Sequence, residues 1–137
     1  MNTVKKIIES YGGMAWLMQE GNYIRIEKPG YMRLVIEYVG KAGNENLVIS
    51  VAHYYEQNGD QMRDPEMTFL VSPKGAWLPM SYLQDNFGIF QEAIFKLADG
   101  KWLLHKKLIK ELMAFSKQWD RNLKEHGFAD VPVKVAA

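Results

Sequence analysis

Apolar residues recur along the chain first at helical spacing, then by alternation, then at helical spacing again. Val4, Ile7, Ile8 and Tyr11 fall on one helical face, with Thr3 placed to cap the start. Gly12-Gly13 breaks that run, and residues 14–19, carrying Trp16 and Leu17, read as a second short helical turn. These N-terminal residues either lie inward over one end of a sheet or form a dimer contact. From Asn22 the period changes to two. Residues 22–28 are predicted as a first strand, followed by a Pro29-Gly30 turn. In a second strand, 31–39, Met32, Leu34, Ile36 and Tyr38 share one face, and Arg33, Val35, Glu37 and Val39 share the other. Residues 40–46, rich in Gly, Asn and Lys, read as a loop.

A third strand, 47–56, sets Leu47, Ile49, Val51 and His53 against Val48, Ser50, Ala52, Tyr54 and Glu56. Asn58-Gly59-Asp60 forms the next loop, and 66–72 is the fourth strand, with Met67, Phe69 and Val71 on one side. Pro73-Lys74-Gly75 is a hairpin turn. The fifth strand, 76–83, contains Pro79, which places it at an edge or makes it irregular. Residues 88–97 fit a strand or a helix, and their β-branched and aromatic content favours a sixth strand.

The closing helix is the clearest element. Leu104, Leu108, Leu112, Phe115, Trp119 and Leu123 step by four or three into one stripe, and Gly127 is placed to end it. Residues 129–137 read as an extended or frayed tail. Short connections imply antiparallel pairing, and helices before and after the strands must cover an apolar sheet face. The expected fold is α+β: five or six mainly antiparallel strands, a short N-terminal helical element and a long amphipathic C-terminal helix packed on the sheet, all in one domain of 137 residues.

Composition narrows the chemistry. A net charge of +1 argues against general attraction to nucleic acid or anionic membrane. The absence of cysteine excludes disulfides, thiolate catalysis and cysteine-held metal clusters, and fits a reducing compartment. No stretch approaches the roughly 18 apolar residues of a membrane span, and Glu9 interrupts any leader-like run, so a bacterial-type cytoplasmic protein without membrane attachment is expected.

Polar chemistry concentrates between Val51 and Met67, where His53, Tyr54, Tyr55, Glu56, Asp60, Arg63, Asp64 and Glu66 surround one predicted turn. The metal-ligand types His53, Glu56, Asp60, Asp64 and Glu66 match no closed site, because His53 and Glu56 fall on opposite sides of a strand and no second histidine is near. No cofactor is implied. His53 with Asp60 or Asp64 as its orienting partner would suit general acid–base chemistry of a small hydrolase-like enzyme. The simpler reading is a strand-end histidine bonded to backbone and an Arg63 paired with Asp64 or Glu66. Tyr23, Arg25, Tyr31, Arg33 and Tyr54 could stack and track a single-stranded nucleic acid on the sheet. Lys101, Lys106, Lys107, Lys110 and Lys117 read more simply as a solvated helix face. Trp77, Tyr82, Phe87 and Trp102 surround turns; core packing is expected of Trp77 and Trp102, and rings left exposed would anchor a protein partner.

The run Ile49-Ser50-Val51-Ala52-His53-Tyr54-Tyr55-Glu56-Gln57-Asn58-Gly59-Asp60, with Arg63-Asp64-Pro65-Glu66-Met67, resembles a family of small bacterial domains of unknown function carried on integrative elements and phage-like islands. The similarity continues at Ser81-Tyr82, Gln84-Asp85-Asn86, Gly88-Ile89, Gln91-Glu92, Ala114-Phe115, Gln118-Trp119 and Asn122-Leu123, and includes Gly12-Gly13 and Arg25-Ile26-Glu27. The closing helix is more distantly similar to a second such bacterial family. The resemblance implies a mobile-element setting and no activity. The leading expectation is a non-enzymatic protein-binding module, with His53 to Glu66 as the candidate interaction site.

Overall fold

Six strands run as an antiparallel meander in chain order in the computed structural model, which describes residues 1–43 and 45–133. They are β1 (Ile24–Ile26), β2 (Arg33–Ala42), β3 (Asn46–Gln57), β4 (Asp60–Val71), β5 (Trp77–Gln84) and β6 (Ile89–Glu92). A separate two-stranded ribbon pairs β7 (Ile94–Lys96) with β8 (Trp102–Leu104). The helices are α1 (Asn2–Ser10), α2 (Met14–Leu17) and α3 (Lys106–Glu125).

The period-two pattern becomes one buried face. Ile36 lies opposite Val51, Val51 opposite Met67, and Ile49 opposite Phe69; all are fully buried. Val4, Ile7 and Ile8 of α1, Leu17 of α2, and Leu112, Trp119 and Leu123 of α3 close over this face, so the N-terminal residues pack inward. No helix among the described residues packs on the other face, which carries Glu37, Tyr54, Glu66 and Thr68.

Several boundaries differ from expectation, each for a local reason. Asn58-Gly59 is itself a two-residue hairpin turn, with φ of 53° and 86°, and Gln57 pairs directly with Asp60. An Asn-Gly pair favours this turn because both of its positions need positive φ. Residues 60–65, expected as loop, therefore open β4. Asp64 and Pro65 fit into it as a bulge opposite His53, between the pairs Ala52–Glu66 and Tyr54–Arg63. Pro79 does not put β5 at an edge: β5 lies between β4 and β6, and the proline falls where the register with β4 shifts. Gly40, Lys41 and Ala42 extend β2, past a bulge after Tyr38; Asn44 of the expected loop lies outside the described residues.

The single strand expected over 88–97 splits at Ala93. Its N–H donates to the Met80 carbonyl and its carbonyl accepts from the His105 N–H, so the chain leaves the sheet there and pairs with β8. Leu104 belongs to β8 rather than to the closing helix, and Trp102, expected in the core, is exposed. His105 caps α3 through Nδ1, which accepts from the Leu108 N–H at 3.2 Å. The buried stripe of α3 is Leu112, Ser116, Trp119 and Leu123, with Phe115 at its exposed border. Thr3 does not cap α1. The helix starts after Met1, and Asp120 of α3 accepts from the backbone N–H groups of Thr3 (3.1 Å) and Val4 (3.3 Å). Gly127, at φ 78°, takes the left-handed position after α3, as expected. Beyond it Phe128–Asp130 forms a 3-10 turn that buries Phe128; of the expected tail, residues 134–137 lie outside the described residues.

Candidate functional site

Alternation along β3 divides the polar constellation between the two faces of the sheet. His53 points under α3, where its ring lies 5.6 Å from Trp119 and 5.5 Å from Phe128. Its Nδ1 is 3.4 Å from the Arg33 carbonyl. The β4 bulge brings Asp64 to the same side. Together with Tyr31, Trp119, Asn122 and His126, these two residues line a cavity of about 230 Å³ between the bulge and the last turns of α3. Asp64 is held in place: its Oδ1 accepts from Gln84 Nε2 at 2.8 Å, and Gln84 Oε1 accepts from the Tyr82 hydroxyl at 3.0 Å. The Tyr31 and His126 rings are 4.5 Å apart. The buried indole N–H of Trp119 meets no acceptor among the described residues.

Burial holds the His53 imidazole below its ordinary pKa near 6.5, against the opposing pull of the Arg33 and Met32 carbonyls and Asp64. The unfolded chain therefore takes up this proton at a higher pH than the folded one. Between the two values the unfolded state binds more protons, so stability falls as pH drops through that window and is regained as it rises. Each pH unit separating the two values changes the unfolding free energy by about 1.4 kcal/mol. Urea unfolding at neutral and mildly acid pH should show this loss, and His53→Gln should reduce it. An equal loss in the variant would assign the titration to another group.

The other residues of the constellation lie elsewhere. Tyr54 is on the helix-free face beneath the Arg33 guanidinium, 5.4 Å from the ring centroid. Arg63 joins that face but pairs mainly with Asp85: Nε lies 3.0 Å from Oδ2, and the backbone N–H donates to the same oxygen at 2.8 Å. The Arg63 hydrogen bond holds the Asp85 carboxyl below its ordinary range. Glu66 is a longer contact of Arg63, at 3.6 Å, and accepts from Ser50 Oγ. The expected Arg63 pairing with Glu66 is thus present and secondary, and Asp64 takes no part in it. Tyr55, Glu56 and Asp60 lie out along the hairpin arm, and Asp60 is not among the cavity residues. The structure joins His53 with Asp64 and separates both from Asp60. Among the described residues, no group of three or more His, Asp or Glu side chains is arranged to hold a metal ion.

The sequence did carry a signal for the far wall of the cavity. Trp119, Asn122, Leu123 and His126 are spaced at i, i+3, i+4 and i+7, which puts them on one helix face. A second surface went unrecognised as a unit. All four residues of β6 are exposed, as are those of β8, and the two strands are joined through Ala93 and the ribbon. Phe87, Phe90, Trp102, Leu103 and Leu104 are each more than 40% exposed there. Lys96 and Lys101 of the ribbon and Lys106, Lys107 and Lys110 of the first turns of α3 are exposed, as are the acidic Glu92 of β6, Asp99 of the ribbon turn and Glu111 of α3.

Across residues 2–129 the chain matches a family model described as Domain of unknown function (DUF6908). The chain belongs to this family. No curated protein and no solved structure matches it. The matched span of the DUF6908 domain runs from α1 through the whole sheet to the 3-10 turn after α3. It therefore includes both the cavity and the exposed corner. No helix among the described residues is long and apolar enough to cross a membrane.

Proposed function

We propose that this DUF6908 domain is a non-enzymatic binding module that engages a protein partner through the corner formed by β6, β7 and β8. The observation that carries this reading is the run of exposed Phe90, Trp102, Leu103 and Leu104 on strands with unpaired outer edges, with the exposed Phe87 in the turn just before β6. Large aromatic side chains at an open edge supply both anchors and main-chain hydrogen-bonding groups for an added strand. The exposed strand edges and rings suit an extended apolar segment that adds as a further strand, and the lysines of the ribbon and of the start of α3 favour acidic residues flanking it. The mobile-element setting implied by the sequence resemblance supports a partner belonging to the element or its host.

The helix-free sheet face supports a nucleic-acid reading less well. Its arginines are already engaged: Arg25 by Glu27, Arg33 by Gln61, and Arg63 by Asp85 and Glu66.

Capture from a bacterial lysate, with and without nuclease, tests the proposal when the native protein is run beside Phe90→Glu and Trp102→Glu. Both positions are exposed, so each variant should still fold. A specific protein should survive nuclease with the native chain, and its affinity should fall at least about tenfold with either variant. Recovery that is equal with all three proteins, or that vanishes with nuclease, would overturn the proposal.

A further inference from the structure

The cavity beneath α3 is chemically unlike the β6–β8 corner, and its lining specifies a kind of ligand. Its walls are mostly rings and apolar groups: Tyr31, His53, Trp119, Pro65 and Leu123. The lining holds one acidic side chain, Asp64, beside His53 and His126. Burial favours the neutral form of His53.

That carboxylate is fixed but has no cationic partner. Its Oδ1 is occupied by Gln84, and no hydrogen bond reaches Oδ2 among the described residues. Arg63, adjacent in the chain, and Lys28, which contacts the cavity residues Tyr31 and His126, are the basic side chains at hand, and neither neutralises it. Arg63, its neighbour, turns to the opposite sheet face and pairs with Asp85 and Glu66. Lys28 extends its ammonium over the Tyr31 ring, 5.8 Å from the centroid, and donates to the His126 carbonyl. A half-buried carboxylate costs free energy unless something pairs with it. Ring faces beside a carboxylate form the chemical environment that recognises an ammonium or guanidinium group.

We propose that the cavity binds a small organic cation, an alkylammonium or guanidinium group, seated beside the Trp119 and His53 rings with its charge on Asp64. A volume of about 230 Å³ limits the occupant to a fragment such as a short alkylamine or the end of a basic side chain. The cation is therefore either a free metabolite-sized amine or the tip of a lysine or arginine from a polypeptide.

The test is a titration of the ¹⁵N-labelled full chain, read at the Trp119 indole N–H resonance. The probes are butylammonium, butylguanidinium, neutral butanol as the isostere, and a short lysine-containing peptide with both ends blocked. Trp119→Phe assigns the resonance. Either cation should shift it saturably while butanol does not. Asp64→Asn, which keeps an oxygen for Gln84, should weaken the cation at least about tenfold, or about 1.4 kcal/mol. Tyr31→Ala, at a partly exposed wall position, should weaken it without unfolding the chain. Saturation by the free amines at the peptide's affinity assigns a free metabolite. Much tighter binding of the peptide assigns a side chain of a partner. Equal shifts with butanol, no shift with any cation, or an Asp64→Asn protein that binds as well as the native one would each overturn the proposal. Loss of partner capture in Phe90→Glu leaves this titration unchanged, so the two sites stand or fall separately.

Discussion

Replacing Trp119 with alanine is expected to lower the unfolding free energy by about 3–5 kcal/mol. Its ring is 5% exposed, lies 5.6 Å from His53 and 6.2 Å from Phe115, and belongs to the central cluster that joins α3 to the sheet. Alanine removes that area and leaves a void that the strands beneath cannot fill, because their positions are fixed by cross-strand hydrogen bonds. Trp119→Phe should cost far less. It keeps a ring in place and deletes an indole N–H that has no acceptor among the described residues, relieving a burial penalty of about 1–3 kcal/mol. Guanidinium unfolding of the two variants checks both statements. A loss for alanine no larger than the roughly 0.5 kcal/mol of an ordinary surface change would contradict the packing.

The second large effect falls on Asp120. Its carboxylate supplies acceptors for the Thr3 and Val4 N–H groups at the start of α1, from a helix more than a hundred residues away in the chain, at a separation of 117 for Thr3. A negative charge at a helix N-terminus is favourable in itself, and the hydrogen bonds add to it. Asp120→Ala leaves both donors without their acceptor, and a loss of about 2 kcal/mol is expected. Asp120→Asn keeps one oxygen and should retain part of the difference. Thermal unfolding measures the loss, and hydrogen exchange locates it: the first-turn amides of α1 should exchange faster in the alanine variant while those of β3 keep their relative protection. Unchanged exchange at Thr3 and Val4 would show that the cap is supplied otherwise.

These two residues also mark where the sequence was legible. The α3 stripe through Leu112, Trp119 and Leu123 and the alternation of Ile49, Val51 and His53 could be read directly, because both follow from one period held over several turns or pairs. Asp120 could not be read as a cap. A residue beside an apolar stripe looks like solvated charge until the element across from it is placed. Thr3 had the right chemistry for the cap in the right position, and the structure started the helix after Met1 instead. The turn at Asn58-Gly59 was legible, but the start of β4 at Asp60, directly after it, was missed for a different reason. Pro65 was left outside the expected fourth strand, whereas a bulge accommodates a proline within it. Phe90 and Trp102 carry the same hydrophobicity as core rings, so composition alone could not tell that β6 and β8 leave them outside. The candidate site was legible in half. His53 and Asp64 share a cavity because β4 bulges there, while Tyr31, Asn122 and His126 reach it only through tertiary packing.

The division between a local sheet and a distant lid also has a consequence for how the chain is made. Each hairpin of the meander joins neighbouring segments, and such contacts close quickly. The cover over the apolar face is different, because α1 emerges from the ribosome long before α3 and waits for its Asp120 and Leu123. Throughout that interval Ile36, Ile49, Val51 and Phe69 face water or a chaperone. Nascent chains stalled before α3 should therefore be the species most prone to aggregate and to be captured by holdases, and release of α3 should end that exposure.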